Sequence, residues 1–197
     1  WLIAHELGHQ WWGDLVTCAS FHHIWLNEGF ARYCEALWEE AHNGRDAYVE
    51  YWQNHAYYGP GTIYVEEPNT ASEIFNVNLT YNKAGWVVHM LRGVLGDSLF
   101  YQALKSYGYN DSLAYGAVTT ENFQAVCEDV SNLDLSQFFQ QWIYGEYYPR
   151  YSVSWLMNNS NELIVTINQT QGWQFFHMPI ELKVFLPNDT LFFTVDD

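Results

Sequence analysis

Two histidines four residues apart, His5 and His9, frame a glutamate in the stretch Trp1-Leu-Ile-Ala-His-Glu-Leu-Gly-His-Gln10. On a helix these positions share one face, so both imidazoles can reach a single metal ion. Glu6, offset by about a third of a turn, can touch a metal-bound water without displacing it. Residues of these types at this spacing suit hydrolysis at a zinc ion. An amphipathic helix with two half-buried histidines would show the same pattern.

A catalytic zinc usually takes three protein ligands and keeps one open position. The compact arrangement with a third histidine six residues after His9 is excluded, because that position is Leu15 and Trp12 stands where a glycine is needed. A glutamate from a following helix is the other source, and Trp25-Leu-Asn-Glu28-Gly-Phe-Ala-Arg-Tyr-Cys-Glu35 offers Glu28. Phe30, Cys34, Leu37, Trp38 and Ala41 fall at helical spacing as its apolar stripe. Glu28 and Glu35 lie two turns apart on the polar side, where Glu35 can accept the spare N–H of a ligand histidine. A merely solvated face of Glu28, Arg32, Glu35 and Glu39 is the alternative.

The run His5-Glu-Leu-Gly-His-Gln-Trp-Trp-Gly-Asp-Leu-Val-Thr17, then Trp25-Leu-Asn-Glu-Gly-Phe-Ala31, resembles the aminopeptidase N family of gluzincin zinc peptidases, which includes the leukotriene hydrolases. Tyr81-Asn-Lys-Ala-Gly-Trp-Val-Val-His-Met-Leu-Arg92 is similar to the family segment that carries its catalytic tyrosine. Two departures occur: Lys83-Ala84-Gly85 where the family has Lys-Gly-Ala, and His23 where many relatives have Asp or Asn. The resemblance implies one zinc on His5, His9 and Glu28, with Glu6 as general base and Tyr81 as oxyanion donor. It implies an aminopeptidase acting on peptides. An endopeptidase or epoxide hydrolase on the same scaffold, or a non-catalytic peptide-binding or structural fragment, are the alternatives. The family's Gly-x-Met-Glu-Asn segment, which anchors the substrate amine, occurs nowhere in the chain. The resemblance therefore also implies a piece of a longer enzyme, partnered by an upstream β-rich lobe.

The chain has 197 residues, 49% of them hydrophobic, which is ample for a core. A net charge of −16 with only seven Lys and Arg argues against a nucleic-acid or anionic-membrane partner. No run of about 18 apolar residues offers a membrane span. Cys18, Cys34 and Cys127 lack metal-ligand spacing and read as small buried residues, with at most one pair bridged. Sequons at Asn78, Asn110, Asn158, Asn168 and Asn188 matter only in a glycosylating compartment, which the sequence does not identify. Aromatic residues make up 19% of the chain, and their helical spacing places most of them in the core rather than on a binding surface.

The fold class that these patterns predict is α+β: the mainly helical lobe of a gluzincin (thermolysin-like) catalytic domain, residues 1–149, followed by a short antiparallel β segment. Helices are expected at about Leu26–His42, Asp46–Tyr57, Tyr81–Leu95, Ser98–Tyr107, Thr120–Val130 and after Asp134, with an irregular segment over Thr62–Thr80. Asp97, Thr119 and Asp134 are the expected caps, with Gln137 completing a box with Asp134. Beyond Pro149 the period changes to two. Strands are expected over Tyr151–Met157, Leu163–Asn168, Phe176–Leu186 and Thr190–Val195, the start of a β-sandwich-like domain over 150–197.

Overall fold

The computed structural model of the chain describes residues 1–195 and opens with a short helix, α1 (Leu2–Gly8), that buries His5. His9 follows as its C-cap in helical geometry, its amide 3.2 Å from the His5 carbonyl, so the one-turn spacing survives the end of the helix. The chain then folds back at Gly13, whose φ of +152° suits glycine. A Cβ there would sit 3.1 Å from the His9 carbonyl oxygen. Next comes β1 (Thr17–Cys18), paired in parallel with β2 (Ala117–Val118). Nothing in the sequence signals this pair, since two residues per strand are too few to leave a periodic signal.

Helix α2 (Trp25–Asn43) ends where Gly44 turns with φ +88°. Its buried apolar side chains are Trp25, Leu26, Phe30, Ala31, Tyr33 and Ala36, so the expected stripe is fully buried only at Phe30, and Trp38 is 48% exposed. The helix packs α1, α3 and α5 around it, which turns more than one side inward. Helix α3 (Arg45–Asn54) is shorter than expected. The His55 imidazole Nδ1 bonds the Tyr51 carbonyl at 2.7 Å, taking the acceptor that the His55 amide would use in a continuing helix.

The segment expected to be irregular holds α4 (Ala71–Ile74) and a π-helical stretch, Val77–Lys83. Asn76 caps the latter, its Oδ1 accepting the amides of Asn78 and Leu79. Tyr81 therefore sits inside a π-helical turn rather than at a helix start. Helix α5 (Ala84–Gly108) changes direction at Gly96, with φ +73° and ψ 157°. Asp97 does not act as the expected cap; its carboxylate accepts from the Arg92 guanidinium at 2.7 and 3.0 Å. Helix α6 (Thr120–Ser131) starts on a capping box of Thr119 and Asn122. Before α7 (Ser136–Trp142), Asp134 accepts the Ser136 amide at 2.9 Å, while Leu135 holds the cap position.

Phe30, Tyr107 and Phe123 interlock in the core, with Phe30 and Phe123 edge to face at 5.1 Å. The aromatics divide more evenly than their spacing suggests, because Trp1, Trp11, Trp38, Trp155, Phe185 and Phe192 are all exposed. All three cysteines are free thiols.

The chain divides into two units, Trp1–Glu146 and Tyr147–Asp197. The second consists of two hairpins, β3 (Tyr151–Met157) with β4 (Leu163–Gln169), and β5 (Ile180–Phe185) with β6 (Thr190–Val195). Strand β5 begins four residues later than expected. Phe176 is fully buried instead, its amide donating to Gln169 Oε1 at 2.9 Å.

Candidate metal centre

The short helix α1 and the start of α2 bring His5, His9 and Glu28 together, with one donor atom of each within 4.8 Å of the others. Both Nε2 atoms face the Glu28 carboxylate, that of His5 at 3.2 Å and that of His9 at 3.3 Å. The opposite ring nitrogens are tied down. His5 Nδ1 meets Glu35 Oε1 at 2.9 Å, and His9 Nδ1 meets the Trp12 carbonyl at 3.0 Å. Carbonyl and carboxylate oxygens only accept, so each Nδ1 carries a hydrogen, which leaves Nε2 as the nitrogen that can turn its lone pair to a metal once it gives up the proton it shares with Glu28. Glu28 and Glu35 are 8% and 3% exposed, which overturns a solvated face.

Two imidazole nitrogens and one carboxylate oxygen are the donor types that hydrolytic zinc sites combine, so these three residues could hold such an ion. The electrostatics fit the same ion. Burial works against the His5 imidazolium, yet Glu28 and Glu35 raise its pKa to about 9. Burial also works against the Glu28 carboxylate, and His5 and His9 bring it down to about 2. His9 is raised, chiefly by Glu28. The three side chains thus favour positive charge among them, the condition that a divalent cation meets.

Tyr81 stacks on the His5 ring, with centroids 5.8 Å apart and planes 14° apart. Burial first, then the Glu28 carboxylate, and Glu6 to a lesser degree, push its hydroxyl above the ordinary tyrosine range. The hydroxyl is therefore a neutral donor at physiological pH. Glu6 follows His5 on α1 and is exposed. Sequence reasoning misses Arg32 and Tyr51, which hold Glu35, and Thr120, which holds His23. Only Arg32 leaves a trace, a helical i,i+3 pair with Glu35.

Comparison with known proteins agrees with this geometry. Residues 1–142 match the family described as the Peptidase family M1 domain. Rice aminopeptidase M1-C is 31% identical over 91% of this chain, and aminopeptidase N of Lactococcus lactis subsp. lactis is 29% identical over 75%. The chain spans about a fifth of the length of such relatives, 22% and 19% respectively. A solved M1 zinc metallopeptidase from Deinococcus radiodurans superimposes with a TM-score of 0.62 at 31% identity, over 74% of this chain and 33% of that one. Legionella pneumophila aminopeptidase A, solved with aspartic acid, shares the fold over 100% of this chain and 23% of its own, with a TM-score of 0.85 at 20% identity. The zinc-type donor triad, the tyrosine stacked on it and the match over residues 1–142 lead to one conclusion: the chain belongs to peptidase family M1.

Proposed function

We propose that this chain is part of a longer zinc-dependent aminopeptidase, to which it supplies the metal ligands His5, His9 and Glu28. When bound there, zinc supplies Lewis acidity and a more acidic water. Glu6 takes the proton of the attacking water and returns it to the leaving amine. The Tyr81 hydroxyl donates to the carbonyl oxygen of the substrate peptide as that oxygen gains charge. The observation that carries this reading is the convergence of three donor atoms with both histidine rings already oriented.

The remainder of the polypeptide supplies an upstream β-rich lobe and the anchor for the substrate amine. An apolar groove of about 810 Å³ between α1 and α2, lined by Trp1, Leu7, Trp11, Leu37 and Trp38, supports such a covering lobe. Residues 150–197 are the start of a β-sandwich-like domain; the exposure of every residue of β3 fits a sheet that awaits a facing layer. No described helix is long and apolar enough to cross a membrane.

The test is metal analysis joined to a substrate comparison. One zinc per chain is expected, lost when His5, His9 and Glu28 are replaced. The longer enzyme is expected to cleave peptides with a free amine and to spare N-acetylated ones. Absence of zinc from metal-replete protein overturns the reading.

A further inference from the structure

Glu35 is held from three sides. Its Oε1 accepts from His5 Nδ1, and its Oε2 accepts from the Tyr51 hydroxyl at 2.8 Å. Arg32 Nη1 reaches both oxygens at 3.1 Å and lies 3.5 Å from the Tyr51 oxygen. We infer that Tyr51 and Arg32 are positioning residues for the metal centre, which fix the Glu35 carboxylate so that His5 presents Nε2 to the ion. This rests on the zinc reading above. The geometry gives it a physical basis. A carboxylate with a single hydrogen bond can rotate about its last torsion, and the imidazole bound to it then turns as well. Here the Tyr51 O–H and the bifurcated contact of Arg32 Nη1 with both oxygens restrict that freedom. Tyr51 is in turn immobilised: it is 3% exposed, stacks on His55 at 4.3 Å and meets the edge of Trp1. Helix α3, which offers no metal ligand, thereby reaches the metal site through one hydroxyl.

Tyr51→Phe tests this, because it keeps the ring in the core and removes only the hydroxyl. Zinc affinity is read by competition with a chromophoric chelator, and the His5 Nδ1–H by proton–nitrogen NMR of histidine-labelled, zinc-loaded protein. The expected result is roughly a 10-fold to 100-fold weaker zinc affinity. It comes with faster solvent exchange of the His5 Nδ1 proton while that of His9, held by Trp12, is unchanged. Unchanged affinity and an unchanged His5 signal overturn the inference. Equal loss of the His5 and His9 signals points to general loosening and overturns it too. If the unsubstituted protein binds no zinc, the metal reading itself fails. Should Tyr51→Phe fail to fold, Arg32→Gln is measured the same way, with the same outcomes.

Discussion

His23 stands where the family favours Asp or Asn, and the structure makes that departure testable by pH. Its Nδ1 accepts from the Thr120 amide at 3.2 Å and from the Thr120 hydroxyl at 3.0 Å, while that hydroxyl accepts from Trp25 Nε1 at 3.0 Å. The chain of bonds joins the first turn of α2, which carries Glu28, to the first turn of α6. Burial lowers the His23 pKa below its ordinary value, against a weaker opposing pull from Glu121. A histidine with a depressed folded-state pKa leaves stability intact above its unfolded pKa of about 6.5. Stability then falls as pH drops through that value, because the unfolded chain takes the proton first. The loss is at most about 1.4 kcal/mol per pH unit, so about 2 kcal/mol between pH 6.5 and 5. That ceiling is comparable to the cost of roughly 1–3 kcal/mol for leaving the buried Thr120 amide unbonded. His23→Asn is the informative change, since Oδ1 occupies the place of Nδ1 and accepts without titrating. Thermal melts of both proteins at pH 7.5 and 5 read the difference. The variant starts somewhat lower at pH 7.5, having lost the ring contact with Tyr64. On acidification it should lose less, by up to about 4–8 °C of Tm. His89, which accepts from Tyr48 and is pushed down to about 4 by burial, weakens both proteins alike and cancels. Identical acid losses in the two proteins would refute the reasoning.

Three further outcomes follow from the site. In the longer enzyme, Glu6→Gln should retain one zinc and lose most turnover, as measured by metal analysis beside steady-state kinetics; full activity removes Glu6 as the base. Tyr81→Phe should lower kcat by roughly 10²–10³ with little change in substrate affinity, the usual cost of one oxyanion donor. Wild-type kcat in that variant would eliminate Tyr81 from the mechanism. The 197-residue chain loaded with zinc should show negligible release of N-terminal residues if, as proposed, the anchor for the free amine lies in the rest of the longer enzyme. Rates matching those of the longer enzyme would contradict this.

The proposed ligands were legible as candidates because their spacing is local: His5 and His9 share one turn, and Glu28 opens the next long helix. The supports were not, since each joins residues distant along the chain. Glu35 depends on Tyr51, His23 on Thr120, and Thr17 pairs with Ala117. Periodicity sees one helix at a time, so it assigned α2 a single apolar stripe. Burial of Trp25, Ala31 and Ala36 on other sides follows only from the helices packed around it. Tyr81 could be named by resemblance alone. The π-helical turn that stacks it on His5 has no periodic signal of its own.

The pair Ala84-Gly85, which departs from the order that the resemblance implies, fits the packing beside Arg32 and Trp52. Helices α2 and α5 approach so closely that a Cβ at Gly29 would lie 2.6 Å from the Ala84 methyl; the methyl at 84 is tolerated because 29 is glycine. A Cβ at Gly85 would meet Trp52 Cη2 at 2.8 Å and Arg32 Cγ at 3.0 Å. Trp52 is 1% exposed and packs on Tyr33, Trp86 and His89, so it cannot swing aside. Gly85→Ala should therefore overpack the interface and cost about 1–3 kcal/mol. Because Arg32 is the softer neighbour, it should move first and loosen the contact of its Nη1 with Glu35. Chemical denaturation and zinc competition together read both effects. The double change Ala84→Gly with Gly85→Ala restores the family's order yet should remain destabilised, since Trp52 still fills the space. Adding Trp52→Phe to Gly85→Ala should recover part of the loss. If Gly85→Ala alone were as stable as the natural chain, or Trp52→Phe gave no relief, Trp52 would not be the reason for the reversed order.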